Sequence, residues 1–331
     1  ASYQSVINQT TINVTPDGIA TISLTPIAPY VVAGYGQQFT GIAYDQWGNL
    51  NASAALNWST NGSASINSTG YFNATSNATY RSIVSGNGPS GTVMNFTVFN
   101  VYPDVVSRIA VSPYVTNATA GVPLQFGAIA YDQWSNLNTT TPFAWTSANL
   151  TGTGNVNASN GSFTGLLNGT AQVTATINAV TNTSNVTVYP AAVATILLTP
   201  NNTIVEAGFG QAYNAVAYDA FGNHNASVAF TFGSNGTVNS ASGFFNSTAT
   251  GAYLVNVTAD SIVVNTSFVY VNASAIASIQ LTPQAQTITA GSNQSFAALG
   301  FDKWGNSNNT FISFSSNGSI DASGLFNSTA N

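Results

Sequence analysis

The stretch IATISLTP at residues 19–26 returns three times, as VSRIAVSP at 106–113, VATILLTP at 193–200 and IASIQLTP at 276–283. In each copy apolar side chains alternate with small or polar ones and the run ends in proline. The alternation places one set of side chains on a single face of an extended strand, and the proline closes it. The prolines Pro26, Pro113, Pro200 and Pro283 are 87, 87 and 83 residues apart.

Three further markers keep step with the first. The turn AYDQWGN (43–49) recurs as AYDQWSN (130–136), AYDAFGN (217–223) and GFDKWGN (300–306). An Ala-Gly pair precedes each, at Gly34, Gly121, Gly208 and Gly291, and an aromatic run follows, in LNWST (56–60), FAWTS (143–147), FTFGS (230–234) and ISFSS (312–316). Self-similarity at a fixed period marks a repeat architecture. Short alternating runs bounded by Gly, Asn and Asp are antiparallel strands, and roughly seven of them in roughly 85 residues is the size of an immunoglobulin-like sandwich. The expectation is an all-β chain of four tandem immunoglobulin-like β-sandwich domains, at 18–104, 105–191, 192–274 and 275–331. The last is incomplete, and residues 1–17 form an N-terminal donor strand.

Composition narrows the chemistry. Apolar residues make up 44% of the chain, enough for packed cores, while charged residues are only 4%. The polar surface is therefore built from amides and hydroxyls. Net charge is −6, and Arg81, Arg108 and Lys303 are the only lysine or arginine side chains, which argues against nucleic acid and against electrostatic attraction to anionic lipid. There is no cysteine, so disulfides and thiolate metal sites are excluded. No apolar run approaches the ~18 residues of a membrane span. A single histidine, His224, cannot build a metal site, and no hydroxyl nucleophile has a base and an orienting acid placed beside it. An enzyme, a metal and a cofactor are not expected.

The recurring residues have structural readings. Asp45, Asp132, Asp219 and Asp302 sit where a strand enters a turn. Calcium would want six to eight oxygens with several carboxylates, so the better reading is a carboxylate that accepts backbone N–H groups of its own turn. Trp47, Trp134, Phe221 and Trp304 are expected to pack at a sandwich end or a domain junction. Trp58, Trp145, Phe232 and Phe314 are expected in cores.

The order of these motifs, from the SIxLTP strand through Ala-Gly, AYDxxGN and the aromatic strand, resembles the bacterial immunoglobulin-like domains of invasin-type surface proteins. The resemblance covers almost the whole chain. It implies the fold and a role as spacer or adhesive stalk.

Two features concern assembly. Residues 1–26 align without a gap under residues 175–200, the end of one repeat and the start of the next. Ile12 and Val14 then fall on Val186 and Val188, and on the pairs Phe99/Val101 and Val269/Val271 of the other repeats. With a period of two, each pair faces the core of its sandwich. The reading is donor-strand complementation. Ile12 and Val14, with Val6 and Ile7 as helpers, would enter a groove of the last domain lined by Ile279, Leu281, Phe296, Phe314 and Phe326. A self-matching terminus arises equally in a segment of a longer tandem array, and the sequence leaves both readings open. Joined end to end, the terminal copy is shorter than its neighbours, through a shortened hairpin or a missing edge strand. The whole resembles archaeal thread and bundling-pilus subunits, which implies a head-to-tail homopolymer outside the cell that meets other filaments or cell surfaces.

The second feature is a surplus of Asn-X-Ser/Thr sequons, 28 among 41 asparagines. They start at Asn8, Asn13, Asn51, Asn57, Asn61, Asn67, Asn73, Asn77, Asn95, Asn117, Asn138, Asn149, Asn157 and Asn160, and continue at Asn168, Asn182, Asn185, Asn201, Asn225, Asn235, Asn246, Asn256, Asn265, Asn272, Asn293, Asn308, Asn317 and Asn327. Dense N-glycosylation in an extracellular setting is expected. Sequons at inward strand positions, Asn95 and Asn185 among them, are expected to stay bare.

Overall fold

The computed structural model describes residues 2–4, 6–139, 141–260 and 263–328. Among them every regular element is a β-strand. The chain forms two compact units, one of residues 1–118, 123–164 and 170–187, the other of residues 119–122, 165–169 and 188–331.

In the first unit, repeat 1 is a sandwich. Its opening strand Thr21–Thr25 pairs antiparallel with Thr40–Tyr44, beside a small sheet of Gln37–Gln38, Tyr71–Asn73 and Ser65–Ile66. The other sheet has four strands in the order Val31–Val32, Gly91–Tyr102, Thr79–Gly88, Asn57–Thr60. Its closing strand, Gly91–Tyr102, runs antiparallel to Thr79–Gly88 and parallel to Val31–Val32. Alternation does what the pattern predicts. Ile22 and Leu24 point inward and meet Phe39, Phe72, Val84, Phe99 and Val101 in one core. The rings of Phe39, Phe72 and Phe99 lie 5.0–6.4 Å apart, in tilted and edge-on pairs. Repeat 2 has the same four-stranded order, with Val180–Tyr189 as closing strand.

In the second unit, repeat 3 again pairs its opening strand, Val193–Thr199, with Asn214–Asp219. It carries a four-stranded sheet of Thr203–Glu206, Val263–Asn272, Gly251–Ala259 and Phe230–Ser234. Repeat 4 keeps only the first half of this plan among the described residues. Ile276–Thr282 pairs with Ala297–Asp302, and Asn293–Ser295, Leu325–Asn327 and Ser319–Ile320 form a small sheet. The aromatic run 312–316 is not a strand, although its three counterparts are. The reason is pairing: the counterparts bond to a penultimate strand, and a strand without a neighbour leaves its N–H and C=O groups unmatched.

The N-terminal segment departs from a single donor strand. Ser2–Tyr3 and Val6–Ile7 pair antiparallel around Gln4, whose φ is 46°. In the ungapped alignment Gln4 falls on Asn178, whose φ is 52° at the tip of the repeat 2 hairpin. Residues 2–4 and 6–7 thus reproduce the end of a penultimate strand and the start of a closing strand.

Candidate functional site

The closing strands of repeats 1 to 3 have no counterpart in repeat 4 among the described residues. On their inward faces stand Asn95, Thr97, Phe99 and Val101 in repeat 1, then Asn182, Ser184, Val186 and Val188, then Asn265, Ser267, Val269 and Val271. The four apolar residues of repeats 2 and 3 and the pair of repeat 1 are all buried. The asparagines do a different job. Asn95 Nδ2 donates to the carbonyl of Ile22 (2.8 Å), Asn182 Nδ2 to that of Ile109 (2.6 Å) and Asn265 Nδ2 to that of Ile196 (2.6 Å). Each bond ties the closing strand to the opening strand at one register.

The buried hydroxyls add a second tie, to the turn after the proline. Thr97 Oγ1 accepts the Ala28 N–H (2.9 Å), Ser184 Oγ donates to the Tyr114 carbonyl (2.8 Å), and Ser267 Oγ accepts the Asn202 N–H (3.1 Å) while donating to the Pro200 carbonyl (3.1 Å).

In repeat 4 the opening strand keeps its sequence and its antiparallel partner, but its face is open. Ile279 is 57% exposed and Leu281 41%, whereas Ile22, Leu24, Ile109, Val111, Ile196 and Leu198 are 4–7% exposed. A cleft of about 270 Å³ lies on this face, lined by Leu281, Phe296, Phe314 and Phe326, with Ile288 and Ile320 beside them. Four of the five expected acceptor residues therefore converge on one cleft, and Ile279 lies two residues along the same strand face. Phe314, expected as core, is half-buried, as is Trp58 of repeat 1, whereas Trp145 and Phe232 are buried. Among those residues no side chain donates to the Ile279 carbonyl. The turn that would receive a hydroxyl is formed: Ala285 has φ 49°, against 48° at Ala28 and 52° at Asn202.

The expected donor residues are exposed in turn: Ile7, Ile12 at 80% and Val14 at 88%. The side chain of Val6 lies outside the described ones. Sequence reasoning missed the polar half of the donor face. Asn8 and Thr10 fall on the positions of Asn95/Thr97, Asn182/Ser184 and Asn265/Ser267, and both are exposed. The signal was the spacing Asn-x-Thr/Ser-x-apolar-x-apolar, present at 8–14, 95–101, 182–188 and 265–271. One expectation is corrected. Asn185 is exposed, because it lies between inward Ser184 and Val186, and the inward sequon of repeat 2 is Asn182.

The Asp turns bind each repeat to the linker before it. In repeat 4, Asp302 Oδ1 accepts the Trp304 and Asn306 N–H groups (2.9 Å each), and Oδ2 accepts the Asn306 amide (2.8 Å) and the linker Ser274 N–H (3.1 Å). Asp45, Asp132 and Asp219 make the same four contacts. Burial pushes the Asp302 carboxyl upward, but the Asn306 amide and backbone donors outweigh it and hold it at about 2. Asp132 and Asp219 are lowered against the same opposition from burial, and Asp45 is lowered chiefly by the Asn49 amide.

A second asparagine in each turn region, Asn51, Asn138, Asn225 or Asn308, donates Nδ2 to the linker carbonyl. Beyond the turn, Trp134, Phe221 and Trp304 lie over Gly34, Gly121 and Gly208 of the preceding repeat. The three cations also rest on rings, with Arg81 over Phe96, Arg108 over Tyr131 and Lys303 over Trp304. Among the described residues no group of three or more His, Cys, Asp or Glu could hold a metal ion, and no helix is long and apolar enough to cross a membrane.

No family model matches the chain. The chain is 28% identical over 304 residues to Ice-binding protein 1 of Shewanella frigidimarina (strain NCIMB 400), a match covering 88% of this chain and 33% of that protein. It thus spans about a third of the length of the curated relative it matches. Among solved structures, the Escherichia coli adhesin FdeC aligns with TM-score 0.46 and 18% identity over 79% of this chain and 100% of that one. Invasin, a bacterial integrin-binding protein, aligns with TM-score 0.45 and 11% identity over 92% and 73%. The surface layer protein SbsC, domains 1–6, aligns with TM-score 0.27 and 18% identity over 87% and 44%.

Proposed function

We propose that the chain is a glycosylated extracellular structural protein whose copies join head to tail, the N-terminal strand of one copy completing repeat 4 of the next. The observation that carries this reading is a pair of open halves. In repeats 1 to 3 the inward pair of the opening strand and the inward pair of the closing strand are buried in one sandwich. Ile279/Leu281 and Ile12/Val14 are the same two pairs, each exposed. Burying an apolar side chain of this size contributes roughly 1.5–3 kcal/mol, so four of them, with the ladder bonds of an added strand, favour association strongly. Such β-strand addition draws affinity from main-chain bonds and specificity from alternate side chains. It is heterologous, so it grows into an open filament unless the rotation closes a ring.

Low charge suits this role, since amides and hydroxyls keep their character where carboxylates titrate. The role is structural, and no catalytic one is assigned. Deleting residues 1–16, or replacing both Ile12 and Val14 by Asp, is expected to abolish fibres seen by electron microscopy. Normal fibres from either variant would sink the proposal.

A second reading, a stalk segment of a longer adhesin or surface-layer protein, is favoured by the match to a relative about three times longer. There the two halves are joined by peptide bonds along one chain. A mature product near 34.0 kDa before glycans favours the subunit; a much larger one favours the stalk.

The sequons divide by geometry. Asn51, Asn95, Asn138, Asn182, Asn225, Asn265 and Asn308 already use Nδ2 to hold a backbone carbonyl. Glycopeptide mapping is expected to find these bare and exposed sites such as Asn13, Asn73 and Asn117 occupied. Full occupancy of Asn95, Asn182 and Asn265 would contradict the division.

A further inference from the structure

The three internal junctions share one construction, and its two parts also occur unmated. At each junction an aromatic ring of the following repeat covers a glycine of the preceding one. A Cβ added at Gly34 would stand 2.7 Å from Trp134 Nε1, and one at Gly208 would stand 2.8 Å from Trp304 Nε1; at Gly121 it would meet the Phe221 ring. An asparagine two residues after the ring completes the joint. Asn136 Oδ1 accepts the Asn77 N–H (2.9 Å) and Nδ2 donates to the Thr75 carbonyl (2.8 Å). Asn223 does the same to Asn168 and Leu166 (2.7 and 2.8 Å), and Asn306 to Thr250 and Thr248 (3.1 and 2.8 Å).

Repeat 1 carries the fourth ring and the fourth asparagine. Trp47 is 69% exposed, against 41–47% for Trp134, Phe221 and Trp304. Asn49 binds Asp45 as its counterparts bind theirs, but it is exposed where Asn136 and Asn223 are buried. Repeat 4 carries the fourth glycine. Gly291 has φ 87°, within the 76–88° of Gly34, Gly121 and Gly208, and its N–H bonds the Ser328 carbonyl as theirs bond Ala74, Gly165 and Ser247. Yet a Cβ added there meets nothing within 4 Å.

We propose that the Trp47–Asn49 turn of one copy seats on the Gly291 floor of a second copy, forming a joint of the kind the chain makes three times within itself. This rests on the head-to-tail order proposed above, but not on strand insertion itself. The two contacts are compatible in length. Val14 precedes Trp47 by the same number of residues as Val101 precedes Trp134, Val188 precedes Phe221 and Val271 precedes Trp304. A closing strand supplied by one copy therefore delivers its ring to the place an internal ring occupies. The seat at Gly291 is the part already formed. The joint would fix the angle between successive copies.

Hydroxyl-radical footprinting of the whole 331-residue chain, from dilute to assembled, separates the two contacts. Oxidation of Trp47 is expected to fall by about a third on assembly, as its exposure drops from 69% to the 41–47% of its counterparts, with Trp134 and Trp304 constant. Oxidation of Ile279 and Leu281 reads strand insertion in the same sample. Protection of Ile279 and Leu281 without protection of Trp47 overturns the joint and leaves strand exchange standing. Protection of Trp47 alone upholds the joint and overturns strand exchange, and protection of neither at any concentration overturns both. Gly291→Asn supplies the second test, because Asn tolerates positive φ while its side chain fills the floor. The variant is expected to lose Trp47 protection and keep that of Ile279 and Leu281. Unchanged Trp47 protection in it overturns the seat.

Discussion

Repeats 3 and 4 have nearly the same opening strand and very different surroundings. VATILLTP buries Ile196 and Leu198, whereas IASIQLTP leaves Ile279 and Leu281 open. The same contrast runs through the half-sandwich. Tyr213, Phe245 and Ala207 are buried in repeat 3, but Phe296 and Phe326 are only half-buried in repeat 4 and Ala290 is exposed. The segment 286–289 is not a strand, while Thr203–Glu206 runs parallel to its closing strand. The polar turn does not share in this difference. Asp219 and Asp302 hold their asparagines at the same 2.8 Å and their turn N–H groups at 2.8–2.9 Å. The turn closes over residues four apart and needs nothing from the missing sheet. The core face belongs to the strand that covers it, which here comes from far along the chain or from another copy.

The largest expected effect tests that division directly. Phe245 is fully buried with its ring 5.4 Å from that of Tyr253, and Phe245→Ala is expected to cost about 3–5 kcal/mol in guanidinium unfolding. Phe326→Ala removes the equivalent ring from an open cleft, and in dilute protein the cost is expected to be roughly 1–2 kcal/mol. In assembled protein the second figure should climb toward the first. Equal losses at the two sites in dilute protein would break the comparison.

The polar ties give a smaller effect with the same logic. Ser267→Ala leaves the Asn202 N–H and the Pro200 carbonyl without their buried partner, at a cost of about 1–3 kcal/mol. Thr10 is exposed, so Thr10→Ala should leave the dilute chain within about 0.5 kcal/mol of its parent. It should nevertheless make filaments dissociate more readily, measured by the concentration at which they disassemble. A Thr10→Ala filament as stable as the parent would remove the hydroxyl from the register code.

Which of these features could be read from the sequence depended on distance along the chain. Strand alternation is local, so the inward positions Ile22 and Leu24 were legible, as was the Asp45 turn, whose donors apart from the linker Asp17 N–H lie within four residues. The recurring Trp could be assigned to a sandwich end or a junction by its period, but Gly34, which receives Trp134, stands a hundred residues earlier, and its recurrence beside alanine does not say what covers it. Asn95, Asn182 and Asn265 were hidden by a second meaning: each is also a sequon, and a polar side chain on an inward stripe looks like a break in the pattern until its carbonyl partner is known. Residues 1–7, ASYQSVI, resemble both ATYRSIV at 78–84, in a penultimate strand, and ATINAVT at 175–181, around a hairpin. Only the pairing of Ser2–Tyr3 with Val6–Ile7 separates them.

The smallest expected effect concerns pH, and it probes the half of the comparison that does not change between repeats. Asp302 is held at about 2, and Asp45, Asp132 and Asp219 are also lowered, below the roughly 3.9 of an unfolded aspartate. The unfolded chain therefore binds protons first as pH falls. The stability these turns contribute is complete above about pH 4. It is lost as pH descends through the folded values, which for Asp302 means toward about 2. The thermal midpoint followed by circular dichroism should thus begin to fall only below about pH 4. Asp302→Asn and Asp219→Asn, placed in repeats without and with a covering sheet respectively, should lower the midpoint at neutral pH by similar amounts and flatten its fall between pH 4 and pH 2. A much larger loss for Asp219→Asn would mean that the turn depends on the sheet after all, and that the local and long-range halves of this fold are coupled.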